Sequence, residues 1–250
     1  MRTCHKLTDL KALSKQELES FVDRAGLPAF RTKQLLHWIY EKYAGSIGDI
    51  TEFSKDLRDR LSEKAYISSL RLLNRETSRD GTEKFLFALE DKESVESVVI
   101  PDKGRLTLCI SSQAGCAMGC RFCLTGKLGL RRNLKAHEIV DQIISADRLI
   151  LPRKITNIVL MGMGEPLANF KEVVEALWRM TGLMHISKRR ITLSTSGIVP
   201  KMLELAEKAP RINLAISLNA ATDEVRSRIM PVNKKYPLKS LLDACRRFPL

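Results

Sequence analysis

Apolar residues recur along this 250-residue chain with a spacing that changes from one region to the next. In the first region they fall three or four positions apart, as Leu18 and Val22 do, which is typical of small amphipathic helices. Ser14 and Glu17 have the spacing of a capping box at the start of one such helix. The pattern predicts a helical accessory domain over residues 1–66, in which the apolar positions form a core.

The next region has shorter apolar runs, which predict strands rather than helices. These strands are expected at about 70–77, 84–89 and 95–100. Asp80 and Gly81 lie between the first two, and this pair favours a tight hairpin turn. Because no linker rich in Ser or Gly follows, we expect this β extension, residues 67–104, to pack on the domain that comes after it.

A repeating order of strand and helix then occupies residues 105–250. Strands are predicted at 105–111, 155–161, 190–195 and 212–218, and helices at about 135–149, 169–181, 199–208, 222–229 and 238–247. This alternation implies an α/β fold with a parallel sheet and right-handed crossovers. In such sheets, active sites lie beyond the carboxyl ends of the strands.

Three cysteines lie in the loop that follows the first of these four strands. Residues 116–123 read C-A-M-G-C-R-F-C, so Cys116, Cys120 and Cys123 have the spacing C-x3-C-x2-C. Thiolates are soft ligands that suit iron–sulfur clusters, zinc or copper(I). Three of them would leave one iron of a cubane cluster open to a small molecule. A structural zinc site, or loop cysteines with no ligand role, are the alternatives.

Unusual segments also follow the other three strands. Residues 162–166 (G-M-G-E-P) come after the second strand, 194–197 (S-T-S-G) end the third, and Asn219 comes after the fourth. Because parallel strands end at the same edge of a sheet, we expect all four segments to surround one active site.

Charge is distributed unevenly along the chain, whose net charge is +13. Residues 1–104 contain 18 basic and 18 acidic residues, whereas residues 105–250 contain 24 basic and 11 acidic ones. Clusters in the second part are Arg121, Lys127, Arg131, Arg132 and Lys135, then Lys188, Arg189 and Arg190. A single basic run is more often a solvated face, but the asymmetry favours a polyanion such as RNA as the partner of the cysteine-bearing part.

Composition narrows the cellular setting. The six cysteines do not form the pattern of a secreted disulfide framework, and a cluster or reactive thiols would need a reducing compartment. No apolar run approaches the roughly 18 residues of a membrane span, and the first residues lack the apolar core of a signal peptide. The sequence therefore predicts a cytoplasmic protein without a membrane partner.

Several ordered motifs resemble those of radical S-adenosylmethionine (radical SAM) enzymes, and among these the RlmN/Cfr family of RNA methyltransferases. They are 111–116 (S-S-Q-A-G-C), the cysteine loop, 161–169 (M-G-M-G-E-P-L-A-N) and 193–197 (L-S-T-S-G). The resemblance implies a partial parallel (βα) barrel of the radical SAM type, preceded by a helical domain that helps to hold RNA. The family barrel has six βα units, so the four found here lead us to expect a C-terminally truncated chain.

The resemblance also implies the cofactors and the residues that bind them. A 4Fe-4S cluster would be held by the three loop cysteines, and S-adenosyl-L-methionine would bind to its open iron. Gly164 and Glu165 would hold the methionine end of this cofactor, and Ser196 would form a hydrogen bond to it, although a serine at this turn could equally be a helix cap. Ser217, Leu218 and Asn219 would line the ribose side. The family usually has histidine where this chain has Asn219.

Two further residues match catalytic positions of the family. Cys109 would resolve a covalent protein–RNA adduct by forming a disulfide, and Glu96 would accept a proton; without the resemblance they would be a small buried hydrophobe and a strand-edge charge. The implied reaction is methylation of adenine C2 in 23S rRNA and tRNA through a methylated cysteine. Cys245 does not match the motif of that cysteine, and Cys4 lies near the N-terminus, so we expect residues 1–250 alone not to complete the reaction.

Two alternatives to this function stay open at the level of sequence. One is methylation of adenine C8, as in Cfr, and the other is a non-enzymatic RNA-binding module with a zinc loop. The resemblance further implies an electron donor such as flavodoxin or ferredoxin, and we expect a monomer.

Overall fold

The computed structural model describes residues 7–249. Cys4 and the outermost ends of the predicted first and last domains therefore lie outside the described residues. The chain divides into two compact units, Met1–Ser69 and Leu70–Leu250.

The first unit consists of three helices and a pair of very short parallel strands. Its elements are β1 (Thr8–Asp9), α1 (Lys15–Arg24), α2 (Phe30–Tyr40), a 3₁₀ turn (Ile47–Asp49), α3 (Lys55–Ser62) and β2 (Ala65–Tyr66). The predicted capping box is confirmed: the Glu17 amide donates to Ser14 Oγ at 3.3 Å, and the Ser14 amide donates to Glu17 Oε2 at 2.8 Å. Leu18, Leu35 and Ile39 are buried, so the apolar spacing read from the sequence does form the core of this unit.

The second unit is built on a seven-stranded mixed sheet. Its strands are β3 (Arg71–Thr77), β4 (Glu83–Ala88), β5 (Ser94–Asp102), β6 (Arg105–Cys109), β9 (Asn157–Leu160), β10 (Ile191–Thr195) and β11 (Asn213–Ile216), and their order across the sheet is β11-β10-β9-β6-β5-β4-β3. Strands β6, β9, β10 and β11 are parallel to one another, whereas β3 to β6 pair antiparallel. The α/β fold is therefore confirmed, and the β extension continues the parallel part as one sheet.

Helices follow the parallel strands as the alternating pattern predicts. They are α5 (Ala136–Leu149), α6 (Phe170–Gly182), α7 (Val199–Lys208), α8 (Asp223–Ile229) and α9 (Leu238–Arg247), with 3₁₀ turns at Pro166–Asn169, Lys188–Arg190 and Pro231–Lys234. Alternate residues of the central strands, such as Leu108, Ile158 and Leu193, are fully buried. Their neighbours on the opposite face of the sheet are only partly buried, which leaves that face accessible to ligands.

A small hairpin that the sequence did not reveal encloses the cysteine loop. It consists of β7 (Gln113–Gly115) and β8 (Leu130–Asn133), which pair antiparallel. The segment that connects the two strands contains the cysteine loop and the short helix α4 (Leu124–Leu128). Gly115 has φ +79°, and a Cβ at this position would lie 1.9 Å from the Gly129 carbonyl oxygen. Only glycine allows the two strands to approach this closely.

Among residues 7–249, the structure contains no helix with the length and apolar character needed to cross a lipid bilayer.

Candidate active site

The cysteine loop is held by backbone hydrogen bonds at both ends. Cys116 is buried directly after β7, and its amide donates to the Gly129 carbonyl at 3.0 Å. The Cys123 amide donates to the Cys120 carbonyl at 3.1 Å, which forms a turn immediately before α4. The hairpin therefore fixes where the loop begins and ends, and the turn sets the distance between its last two thiols.

All three thiols line one cavity of about 340 Å³ at the carboxyl ends of the parallel strands. Residues of the other strand ends that line the same cavity include Gly164, Glu165, Ser196, Ser217 and Asn219. The four unusual segments of the sequence thus meet where the parallel topology leads one to expect.

The thiols fit an iron–sulfur cluster by their type and by their shared cavity. Burial raises the pKa of Cys116 and of Cys120 above the ordinary value for a thiol, so a metal must displace the proton on binding. Within residues 7–249, no group of three or more His, Cys, Asp or Glu side chains is arranged to hold a single metal ion. A cubane cluster places each thiolate on a different iron, so its ligands lie farther apart than those of one ion.

Glu165 connects the second and third strand ends through its buried carboxylate. Its Oε1 accepts hydrogen bonds from Thr195 Oγ1 at 2.6 Å and from the Leu167 amide at 3.1 Å, and its Oε2 accepts from the Ser196 amide at 2.7 Å. Both oxygens are therefore engaged with the protein, and the carboxylate fixes the turn that bears Ser196. A contact between Glu165 and an ammonium group remains a prediction.

Gly164 lies where the backbone passes close to β7. Its φ is +100°, and an added Cβ would lie 2.6 Å from Gln113 Cβ. The Gln113 side chain in turn accepts a hydrogen bond from the Glu165 amide at 2.8 Å. The absence of a side chain at Gly164 thus lets the second strand end pack against the hairpin that holds the cysteines.

Ser196 carries a buried hydroxyl that the protein leaves without a hydrogen-bond partner. The residue is 7% exposed, and it lines the cavity together with the cysteines. A buried polar atom without a partner is unfavourable unless something else provides one. A polar ligand in the cavity would do so, and this fits the predicted hydrogen bond between Ser196 and the cofactor.

The fourth strand end brings two of its three predicted residues to the cavity. Ser217 Oγ lies 3.3 Å from Ser194 Oγ, and Asn219 adopts φ +58°, a conformation that asparagine tolerates better than most residues. The Leu218 side chain is 41% exposed and is not among the cavity-lining residues. Asn219 Nδ2 donates a hydrogen bond to Met230 Sδ at 3.3 Å.

Cys109 and Glu96 lie on the sheet, away from the lining of the cavity. Cys109 pairs with Val98 of β5, and Glu96 is two residues earlier on that strand, so both side chains are on the same, partly exposed face. Burial raises the pKa of the Cys109 thiol, and a hydrogen bond involving the Met161 backbone opposes this only in part. Glu96 forms an ion pair with Lys84 at 3.4 Å.

The most prominent site residue that sequence reasoning missed is Arg226 of α8. Its side chain is completely buried, and its guanidinium donates to the carbonyls of Ser196, Ser217 and Leu218. In the sequence it is one basic residue among many in a basic region, and no local signal distinguishes it, since its neighbour Val225 is exposed.

Comparisons with known proteins agree with this fold. The model of the radical SAM superfamily matches residues 110–249, and the ribosomal RNA large subunit methyltransferase N-terminal domain matches residues 8–67. A crystal structure of a radical SAM methyltransferase from Sphaerobacter thermophilus superimposes with a TM-score of 0.90 at 39% identity, over 96% of this chain and 72% of that chain. The fold and the cysteine loop thus define a radical SAM enzyme.

Curated relatives narrow the class further. The dual-specificity RNA methyltransferase RlmN of Pelobacter propionicus is 54% identical over 97% of this chain and 70% of its own length. RlmN of Geobacter sulfurreducens is 53% identical over 98% of this chain and 67% of its own length. The chain belongs to the RlmN family. Enzymes of this family use a 4Fe-4S cluster and S-adenosyl-L-methionine, so membership favours the enzyme over the zinc-loop module.

Proposed function

We propose that this protein methylates adenine C2 in 23S rRNA and tRNA, with a 4Fe-4S cluster on Cys116, Cys120 and Cys123 and S-adenosyl-L-methionine beside it. The observation that carries the proposal is the single cavity that the three thiols share with the unpartnered hydroxyl of Ser196. When bound, these cofactors supply the one-electron chemistry needed to functionalise an aromatic carbon that has no acidic proton.

The residues of the strand ends would bind and orient S-adenosyl-L-methionine. Gly164, where the backbone passes close to Gln113, would present its backbone to the methionine end, and Glu165 holds the adjoining turn in place through Thr195 and the Ser196 amide. Ser196 would donate or accept one hydrogen bond to the cofactor. Ser217, Leu218 and Asn219 would border its ribose; Leu218 and Asn219 are exposed, and Ser217 is half-buried.

Glu96 and Cys109 would act on the RNA adduct. Their common sheet face would let Glu96 accept the proton lost from adenine C2. The Cys109 thiolate would attack the sulfur of the methyl-carrying cysteine, so that the sulfur–carbon bond to the RNA breaks as the disulfide forms, and the electron pair of that bond stays with the carbon, which takes up a proton to become the product methyl group. In this scheme Lys84, which pairs with Glu96, would orient the carboxylate before RNA arrives.

The partners follow from charge and from exposed surface. The basic excess of residues 105–250 suits RNA. The segment that carries the cysteines also exposes Phe122, Leu124 and Leu128, and it has no acidic residue between Cys116 and Lys135, which suits an acidic electron donor such as flavodoxin or ferredoxin. We further propose that the protein is a cytoplasmic monomer.

A first test addresses the cluster and its cofactor. Anaerobically reconstituted protein should contain iron and sulfide and should release 5′-deoxyadenosine from S-adenosyl-L-methionine when a reductant is added. Cys120→Ala should abolish this release. Cys245→Ala is the matched control, because Cys245 lies in α9 and does not line the cavity, and it should behave like the unchanged protein. Equal release by both variants would refute the proposed ligand set.

A second test addresses the position of the methyl group. Deletion of the gene should remove C2-methyladenosine from digested 23S rRNA and tRNA, measured by mass spectrometry of the nucleosides. Loss of C8-methyladenosine instead would support the alternative regiochemistry, and no change in either nucleoside would contradict methylation of these RNAs.

A further inference from the structure

Arg226 forms hydrogen bonds to the backbone of two separate strand ends that border the cavity. Its Nη2 donates to the Ser196 carbonyl at 2.6 Å and to the Ser217 carbonyl at 3.3 Å, and its Nε donates to the Leu218 carbonyl at 3.0 Å. These carbonyls belong to the turn after β10 and to the turn after β11. One planar guanidinium therefore sets the distance between two loops whose side chains face the cavity.

The guanidinium is itself held in a fixed orientation. Its Nη1 donates to Asn233 Oδ1 at 2.7 Å, and Asn233 Nδ2 donates to Asp223 Oδ1 at 2.9 Å and to Ser227 Oγ at 2.8 Å. Asn233 is 1% exposed, so this support is as buried as Arg226. Because every partner of the guanidinium has a defined position, Arg226 leaves the two turns little freedom to move relative to each other.

The charge of Arg226 is also unusual for a buried side chain. Within residues 7–249 it forms no ion pair with a carboxylate, although burying an unpaired charge is costly. Burial lowers its pKa, while the charge of Asp223 opposes this effect. Its hydrogen bonds to the three carbonyls and to Asn233 offset this cost, and the carbonyls belong to the two turns that border the cavity.

We infer that Arg226 is a positioning residue for S-adenosyl-L-methionine: its guanidinium holds the turns after β10 and β11 so that Ser196, Ser217 and Asn219 meet the cofactor together. Arg226 does not touch the cofactor in this scheme and acts through the three carbonyls. This inference rests on the proposed function, because it assigns the same cavity to the same cofactor.

Arg226→Lys tests this role, because lysine keeps the positive charge but has a single nitrogen that cannot reach both turns in the same way. The dissociation constant for S-adenosyl-L-methionine should rise about tenfold, measured by calorimetry on reconstituted protein well below its unfolding temperature. Iron content should be unchanged, and the EPR spectrum of the reduced cluster should change on addition of the cofactor only at higher concentrations.

The matched control is Arg228→Lys, which makes the same substitution on the same helix. Arg228 is 64% exposed in its side chain and lies 3.8 Å from Glu224, so this variant should bind the cofactor as the unchanged protein does. An Arg226→Lys variant with full iron content and an affinity within about twofold of the unchanged protein would overturn the inference.

A second variant decides the question if Arg226→Lys does not fold. Asn233→Ala removes one support of the guanidinium and leaves its bonds to the two turns in place, so it should weaken cofactor binding about threefold. An unchanged affinity would then count against the positioning role. If the unchanged protein shows neither cofactor binding nor an EPR change, the proposed function fails, and this result is distinct from either outcome for Arg226.

Discussion

Two buried side chains, Glu165 and Arg226, connect the neighbouring strand ends of this site. Glu165 links the turn after β9 to the turn after β10 through Thr195 and the Ser196 amide. Arg226 links the turn after β10 to the turn after β11. A carboxylate and a guanidinium thus fix three successive loops without contacting each other, so removal of either group should disturb a different part of the cavity.

Gly164→Ala should impair the site through its backbone. The substitution places a Cβ 2.6 Å from Gln113 Cβ at φ +100°, and we expect it to destabilise the fold by about 2 kcal/mol and to weaken cofactor binding. Thermal unfolding and calorimetry measure the two effects. Gly182→Ala serves as the control, because a Cβ there meets no atom within 4 Å and the residue ends α6. Similar results for both variants would show that the close approach at Gly164 is unimportant.

Cys109 should be a poor nucleophile in the folded protein at neutral pH. Burial raises its pKa, so less thiolate is present in the folded state than in the unfolded state, and the thiolate fraction should increase only at pH values above the ordinary 9.0. Alkylation by iodoacetamide, followed at this cysteine by peptide mass spectrometry, should show this shift. The same measurement in urea gives the reference curve. A midpoint in the folded protein at or below that of the unfolded chain would contradict the expectation.

At the scale of elements, the β7–β8 hairpin determines the position of the cysteine loop. The two strands hold both ends of the segment that contains Cys116, Cys120 and Cys123.

The main alternating elements were predictable because each strand and helix carries its own apolar period, and the observed helices α7 and α9 begin and end at the predicted residues. The hairpin was not predictable, because its strands are short and their pairing depends on a loop between them that has no apolar period.

Gly115→Ala should prevent the hairpin from closing. The added Cβ would lie 1.9 Å from the Gly129 carbonyl, so β7 and β8 must separate and Cys116 must shift. We expect the iron content after reconstitution to fall by about half or more, since one cluster ligand is displaced. The control is Gly104→Ala, which has a similar φ of +82° but no atom within 4 Å of the added Cβ. The Gly104→Ala variant has the backbone strain of a positive φ without the steric clash. Equal iron contents in the two variants would refute the role of the hairpin.

At the scale of the whole molecule, the two basic clusters lie at opposite ends of the parallel strands. Arg121, Lys127 and Arg131 are exposed in the segment that carries the cysteines, on the side where the parallel strands end. Lys188–Arg190 immediately precedes β10 and therefore lies at its opposite, amino end. The sequence predicted the parallel sheet and the convergence of its loops, but not Arg226, because burial of a charged residue depends on distant parts of the chain.

The binding of RNA at the cavity should therefore depend on the basic residues near the cysteines and not on Lys188–Arg190. Replacing Arg121, Lys127 and Arg131 with serine should lower RNA affinity about tenfold or more and make the dependence of log K on log salt concentration shallower by about two. Serine at all three positions of Lys188–Arg190 is the matched control and should have a much smaller effect. Fluorescence anisotropy with tRNA at increasing potassium chloride measures both quantities. Equal losses would indicate that RNA binds by overall charge and not at the cavity.

The order of strands in the mixed sheet also predicts when, during folding, the cluster is inserted. Strands β3 to β6 are joined by short connections, whereas β6 pairs with β9 across about fifty residues, as Thr107 with Asn157. Because contacts between distant residues form more slowly, we expect the antiparallel half to fold first and the closure of β6 on β9 to come later. The cysteine loop lies within the stretch that this closure brings together. Iron–sulfur assembly in the cell should therefore act on a chain that has already completed its sheet, and the cofactor would arrive as a late addition rather than as a nucleus for folding.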